Sequence, residues 1–219
     1  SHLGKELPFP LGLAAVKVVH GRSMLSLIPD ARVIPPGVHN LTGILAETSR
    51  PVAGVNCHIP EGCVATLGLG RTDYRLIHRT VVEELNWPML VLDPAGNCPP
   101  LPGTVILRGW REPVEVIRLL QAARATVLWY LPVEAMVTSS AAHLAVAARR
   151  QVIVNRTAWF ADLPGEVFTR VATPGQFREA LLAGPRPGQA ESQEKYIRAC
   201  SWEQTARRYL DLCRAPAAP

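Results

Sequence analysis

One pattern constrains this chain more than any other: short apolar segments alternate with stretches of helical periodicity. Residues 63–67, 89–92, 104–107, 126–131, 151–154 and 167–171 are brief runs rich in Val, Ile, Leu and Ala. Between the first two, Tyr74, Ile77, Val81 and Leu85 recur three or four apart, one face of a helix over 72–86. Thr72 is expected to cap that helix, with Asp73 in its first turn. Pro113 opens the next helix, where its missing N–H costs nothing. Val116, Leu119, Leu120 and Ala123 give it a buried stripe. A short Ala-rich helix follows, capped by Ser139 or Ser140 and ending at Arg149 and Arg150, and another covers 174–182. Residues 184–193 read as a polar loop. Ser201 and Gln204 fit a capping box for a last helix with Trp202, Ala206, Tyr209, Leu210 and Cys213 as its apolar face.

The run at 126–131 is apolar throughout, as a strand is when helices cover both faces of its sheet. Strands alternating with helices imply βαβ units and a doubly wound parallel sheet, a Rossmann-like α/β fold. In such sheets ligands sit beyond the carboxyl ends of the strands. The strand-to-helix turns are therefore where chemistry is sought.

Composition removes several alternatives. A hydrophobic content of 48% is ample for a core. A net charge of +5, with 20 scattered Arg (23 basic residues less Lys5, Lys17 and Lys195), gives no footprint for nucleic acid. No run of 18 apolar residues occurs, so at most peripheral membrane contact is expected. The start lacks signal-peptide order, and a cytoplasmic location is expected. Cys57, Cys63, Cys98, Cys200 and Cys213 form no CxxC pair, which argues against a disulfide framework and a zinc site. Cys57 and Cys63 could bridge, but read as free thiols. His20, His39, His58, His78 and His143 show no metal spacing, and the sequons at Asn40 and Asn155 read as chance matches.

Two turns stand out. After the strand at 63–67 come Gly68, Gly70 and Arg71, then Asp73. Glycines there let a ligand approach the backbone, helix-start amides can receive an anion, and Arg71 offers a fork to a diphosphate. The third glycine of a dinucleotide fingerprint is absent. A structural turn with a solvated Arg reads equally well. After the strand at 126–131 come Glu134, Ser139 and Ser140. The serines suit a phosphate or ribose, or serve simply as an N-cap. Glu134 can accept from sugar hydroxyls or stand solvated.

In order, these pieces resemble the C-terminal, donor-binding half of a GT-B-type retaining glycosyltransferase of family 4. Arg32-Val-Ile-Pro-Pro-Gly-Val38 is similar to the family's "VIPNGV" junction. Gly68 to Arg71 followed by Asp73 and Tyr74 resembles its "G-R" turn. Residues 126–140 and 145–154 resemble the strand, loop, helix and "PVI" strand that hold the donor nucleotide, and 201–210 the closing helix. The resemblance covers roughly 15–215.

It implies a junction segment at 1–42 from the end of an acceptor domain, a linker at 43–62, the donor-binding domain at 63–200 and the closing helix at 201–214. It also implies a nucleotide diphosphate sugar as donor substrate, no other cofactor, and Gly68, Gly70, Arg71, Asp73, Arg75, Glu134, Ser139 and Ser140 as donor-binding residues. The activity implied is hexosyl transfer, with a non-catalytic binding or scaffolding descendant as the alternative. The partner implied is an acceptor domain or a second copy. Met136 and Leu144 stand where the family carries two glutamates. Glu134 lies two positions from the first, and Arg75 is a stand-in for the lysine that follows the G-R turn.

Overall fold

The computed structural model describes residues 18–20, 25–26, 28, 31–40, 59–68, 71–132 and 139–214. Val18–Val19 (β1) and Arg32–Val33 (β2) form a small parallel pair. The main sheet has six parallel strands: Val64–Leu67 (β3), Met89–Asp93 (β4), Thr104–Arg108 (β5), Ala125–Leu128 (β6), Gln151–Asn155 (β7) and Thr169–Val171 (β8). Their spatial order is β5-β4-β3-β6-β7-β8. The chain starts in the middle, steps outward, returns, and steps out the other way, which is the doubly wound arrangement. The expected fold class is what the structure shows.

The helices are Tyr74–His78 (α1), continued as a π-helical stretch over Arg79–Glu84, then Pro113–Ala122 (α2), Ser140–Ala147 (α3), Pro174–Ala183 (α4), Gln189–Ala199 (α5) and Trp202–Arg214 (α6). Successive strand residues serve opposite faces, as the two-residue side-chain period requires. Ala65, Leu67, Leu90, Leu92 and Leu128 pack with Ile117, Leu120, Ala145 and Val146 on the α2–α3 side. Val64, Met89, Val91, Val127 and Ile153 pack with Ile77, Val81, Phe177 and Leu181 on the α1–α4 side. Every residue of β3, β4, β6 and β7 is buried, which is why these strands show no polar alternation.

Three expectations are corrected. Asp73, not Thr72, caps α1: its carboxylate accepts from the Leu76 N–H at 3.0 Å. Thr72 instead bridges to Tyr130. The stretch expected as a polar loop at 184–193 becomes helical from Gln189. Its buried stripe is Gln189, Gln193 and Ile197. The amides donate to the carbonyls of Val167 (2.9 Å) and Arg150 (2.8 Å), so polar residues fill core positions at no cost in unmet hydrogen bonds. In α6, the residue buried is Thr205, while Trp202, Tyr209, Leu210 and Cys213 are exposed. The Ser201 hydroxyl accepts from the Gln204 N–H at 3.3 Å, as a cap should.

The 31–40 segment is seated on the start of α6. The Val38 N–H donates to the Cys200 carbonyl at 2.7 Å, and the Trp202 indole donates to His39 Nε2 at 3.3 Å. A Cβ on Gly37 would lie 2.2 Å from the Trp202 ring, so only glycine permits this approach. Of the expected linker, 59–62 are described and the rest lies outside the described residues.

Candidate functional site

The strand order reverses between β3 and β6, and there the following helices part. The helix after β3 lies on one face of the sheet and the helix after β6 on the other. Parted helices leave a crevice beyond the strand ends. The structure has a cavity there of about 640 Å³, lined among others by Gly68, Arg71, Tyr130, Ser139, Ser140 and Leu144. Its lining also includes Leu92 and Leu107 from the ends of β4 and β5.

The walls are held by backbone bonds that extend the sheet past its strands. The Asp73 N–H donates to the Trp129 carbonyl at 2.8 Å, and the Leu131 N–H to the Arg71 carbonyl at 2.7 Å. Two tyrosines buttress the exit of β3: the Tyr130 hydroxyl donates to the Leu67 carbonyl (3.4 Å) and the Tyr74 hydroxyl to that of Gly68 (3.3 Å). Burial pushes each phenol up to about 12, with the Asp93 charge adding to the rise at Tyr74. Gly68 is pressed on Thr72, whose Oγ1 would lie 1.9 Å from an added Cβ.

With its backbone fixed, Arg71 presents an exposed guanidinium that pairs with no described carboxylate. Across the cavity, α3 begins. The buried Ser139 caps it, its hydroxyl accepting from the Ala142 N–H at 3.4 Å, and Ser140 is exposed. Beneath, His143 Nδ1 lies 3.0 Å from the Ser139 carbonyl and Nε2 3.1 Å from the Tyr196 hydroxyl. Burial lowers the His143 pKa from 6.5 and keeps the ring neutral, the Ser139 carbonyl pulling the other way. A cation with no described carboxylate partner, opposite a helix N-terminus, suits an anion.

Of the expected residues, Gly68, Arg71, Ser139 and Ser140 come together. Asp73 and Arg75 line a separate depression with His78, Arg79 and Glu83. Gly70 and Glu134 lie outside the described residues, as does Met136. Leu144 lines the cavity, placing an aliphatic side chain where the resemblance puts the second glutamate.

Sequence reasoning missed the far wall. Trp110, Arg111 and Glu112, between β5 and α2, line the same cavity. Arg111 is ion-paired with Glu115 one turn on. Trp110 is 78% exposed, and Glu112 precedes α2 without its side chain capping it. The readable signal was an aromatic residue following a glycine at a strand's carboxyl end. Among the described residues no group of three or more His, Cys, Asp or Glu is placed to hold a metal ion, and no helix is long and apolar enough to cross a membrane.

Comparison of the sequence with protein-family models and with curated proteins finds no match. Solved structures do match. WaaG, a glycosyltransferase involved in lipopolysaccharide biosynthesis, is 14% identical with a TM-score of 0.63, over 91% of this chain and 62% of that one. A glycosyltransferase from Rickettsia africae is 13% identical with a TM-score of 0.66, over 93% and 64%. A UDP-forming trehalose-phosphate synthase from Burkholderia xenovorans is 12% identical with a TM-score of 0.59, over 84% and 52%. The chain spans less than two thirds of each of these structures, which are GT-B glycosyltransferases, and its six-stranded Rossmann-like α/β fold matches part of theirs.

Proposed function

We propose that this chain is the donor-binding half of a family-4-like retaining glycosyltransferase and holds a nucleotide diphosphate sugar in the switch-point cavity. The observation that carries the reading is Arg71, which pairs with no described carboxylate, lining one cavity with the N-terminus of α3. Arg71 would take the diphosphate as a fork and offset charge on it as the leaving group. Ser139 and Ser140 would present the first amides of α3 to the same anion, and Gly68 leaves the backbone approachable. An acceptor-binding module, or a second copy, would cover the open side and the exposed apolar stripe of α6, since positioning an acceptor needs a second wall. Calorimetric titration with UDP, GDP, ADP and their sugars is the test. Micromolar to millimolar binding that Arg71→Ala weakens about ten- to a hundredfold is expected, and absence of any binding at millimolar ligand sinks the reading.

One observation favours a non-catalytic variant of this function. Leu144 brings an aliphatic group into the cavity at the position the resemblance assigns to a glutamate. Donor binding without measurable donor hydrolysis or transfer distinguishes that variant from an active enzyme.

A further inference from the structure

We propose that the cavity selects the guanine base, with Trp110 as its stacking platform and Glu112 reading its edge. This rests on the donor-binding reading above and adds what the reading leaves open, the identity of the nucleotide.

Three features of the far wall carry it. First, Trp110 is the most exposed large hydrophobic among the described residues, at 78%, yet it lines a cavity. Gly109, at φ +88°, turns the chain just before it. An indole held in water at the lip of a cleft is a surface for a flat ring, and base–aromatic stacking is a large term that grows with ring overlap. Purines overlap an indole more than pyrimidines do.

Second, the polar groups on this wall are not equally free. Arg111 and Glu115 are ion-paired with each other and mostly buried, so their charges are engaged with each other. Glu112 is exposed, and no described residue pairs with it. It sits at the N-terminus of α2 with no side-chain hydrogen bond to the helix's first amides.

Third, an ionised carboxylate only accepts hydrogen bonds, through two oxygens side by side. Guanine presents two adjacent donors, N1–H and the 2-amino group, in the spacing that a carboxylate matches bidentately. Adenine and cytosine each offer one exocyclic amine beside a ring acceptor. Uracil offers one N–H between two carbonyls, which would meet the carboxylate repulsively. Ring size and edge chemistry thus select the same base. The trehalose-phosphate synthase matched above is UDP-forming, so the preference inferred for this chain differs from that enzyme's.

The test is calorimetry with GDP, ADP, UDP and CDP on the full chain, comparing the parent with Trp110→Ala, Glu112→Gln and Arg71→Ala. Trp110 and Glu112 are exposed, so their replacement does not disturb the core. GDP is expected to bind about tenfold or more tighter than the others. Trp110→Ala should weaken every nucleotide, GDP by about tenfold. Glu112→Gln should bring GDP down to the affinity of ADP and leave UDP no weaker. Equal binding of all four, weakened in Arg71→Ala, overturns the base assignment and leaves the donor site standing. A preference for another base, or a GDP preference that survives Glu112→Gln, also overturns it. No nucleotide binding at all removes both this assignment and the donor reading.

Discussion

Asn155 satisfies both backbone polar groups of Tyr130 with one side chain: its Oδ1 accepts from the Tyr130 N–H at 3.0 Å and its Nδ2 donates to the Tyr130 carbonyl at 2.8 Å. Asn155 ends β7, and Tyr130 lies just past β6. The amide continues the ladder where the strands have stopped. Tyr130 in turn lines the cavity and bridges to Thr72.

Asn155→Ala leaves a buried N–H and a buried C=O without partners. It is expected to cost about 2–4 kcal/mol of stability, read by urea denaturation. A loss under about 0.5 kcal/mol, the usual range for surface changes, would show that Tyr130 is held by other means. The same bonds leave the amide at Asn155 no freedom to carry a glycan, in keeping with a chance sequon.

His143 links stability to pH on the acid side. Burial lowers its pKa below 6.5, so the unfolded chain binds the proton more readily than the folded one. The stabilisation from the neutral ring is therefore present above pH 6.5 and is lost as pH falls through the folded pKa. Denaturation midpoints at pH 7.5 and 5.0 should differ, and His143→Gln should flatten part of that difference. An unchanged slope in the variant would mean that other groups set the acid limb.

Gly68→Ala tests the turn after β3. The new Cβ would meet Thr72 Oγ1 at 1.9 Å, and Thr72 is buried and paired through its backbone with Tyr130. Overpacking of this kind costs about 1–3 kcal/mol. Relief by moving the turn would also shift Arg71, three residues on. Reduced stability together with weakened nucleotide binding is expected; full binding with full stability would refute the tight approach.

Arg71→Ala removes the exposed cation of the cavity without touching the core. Stability should stay within about 0.5 kcal/mol, while nucleoside diphosphate affinity falls about ten- to a hundredfold, the worth of a charged hydrogen-bonded pair. Arg71→Lys keeps the charge and loses the fork, so it should fall between the two. Lysine matching arginine would mean that charge alone matters there.

The sheet was legible in the sequence because buried parallel strands are apolar on both faces, although the strand expected over 126–131 is Ala125–Leu128 and Leu131 is 46% exposed. The crevice followed, since strand order and helix side are coupled in such folds. Gly68, Arg71, Ser139 and Ser140 line one cavity for that reason. Asp73 illustrates the limit: a short acidic side chain before a helix serves an anion-binding turn or caps the helix, and in the structure it caps. Gln189 and Gln193 concealed α5 because their burial depends on the carbonyls of Val167 and Arg150, which no local pattern reveals. Trp110 and Glu112 belong to the site through the proximity of β5 to β4 and α3, again a matter of the folded sheet rather than of spacing.

The α6 stripe shows amphipathic periodicity without saying what covers it. Trp202, Tyr209 and Leu210 are 52%, 37% and 52% exposed in the folded chain. Trp202 is partly covered by Gly37 and His39, whereas Leu210 keeps about half its surface in water, so burial contributes little there. Leu210→Glu should therefore leave the stability of this chain within about 0.5 kcal/mol of the parent, where an equivalent change at a buried leucine such as Leu120 would unfold it. The same substitution should abolish any association that uses the stripe, since an unpaired carboxylate there would have to be desolvated. Thermal melts paired with sedimentation velocity separate the two effects. A large loss of stability in the monomer would mean that the stripe is covered from within the chain, and would count against a separate module or a second copy on this face.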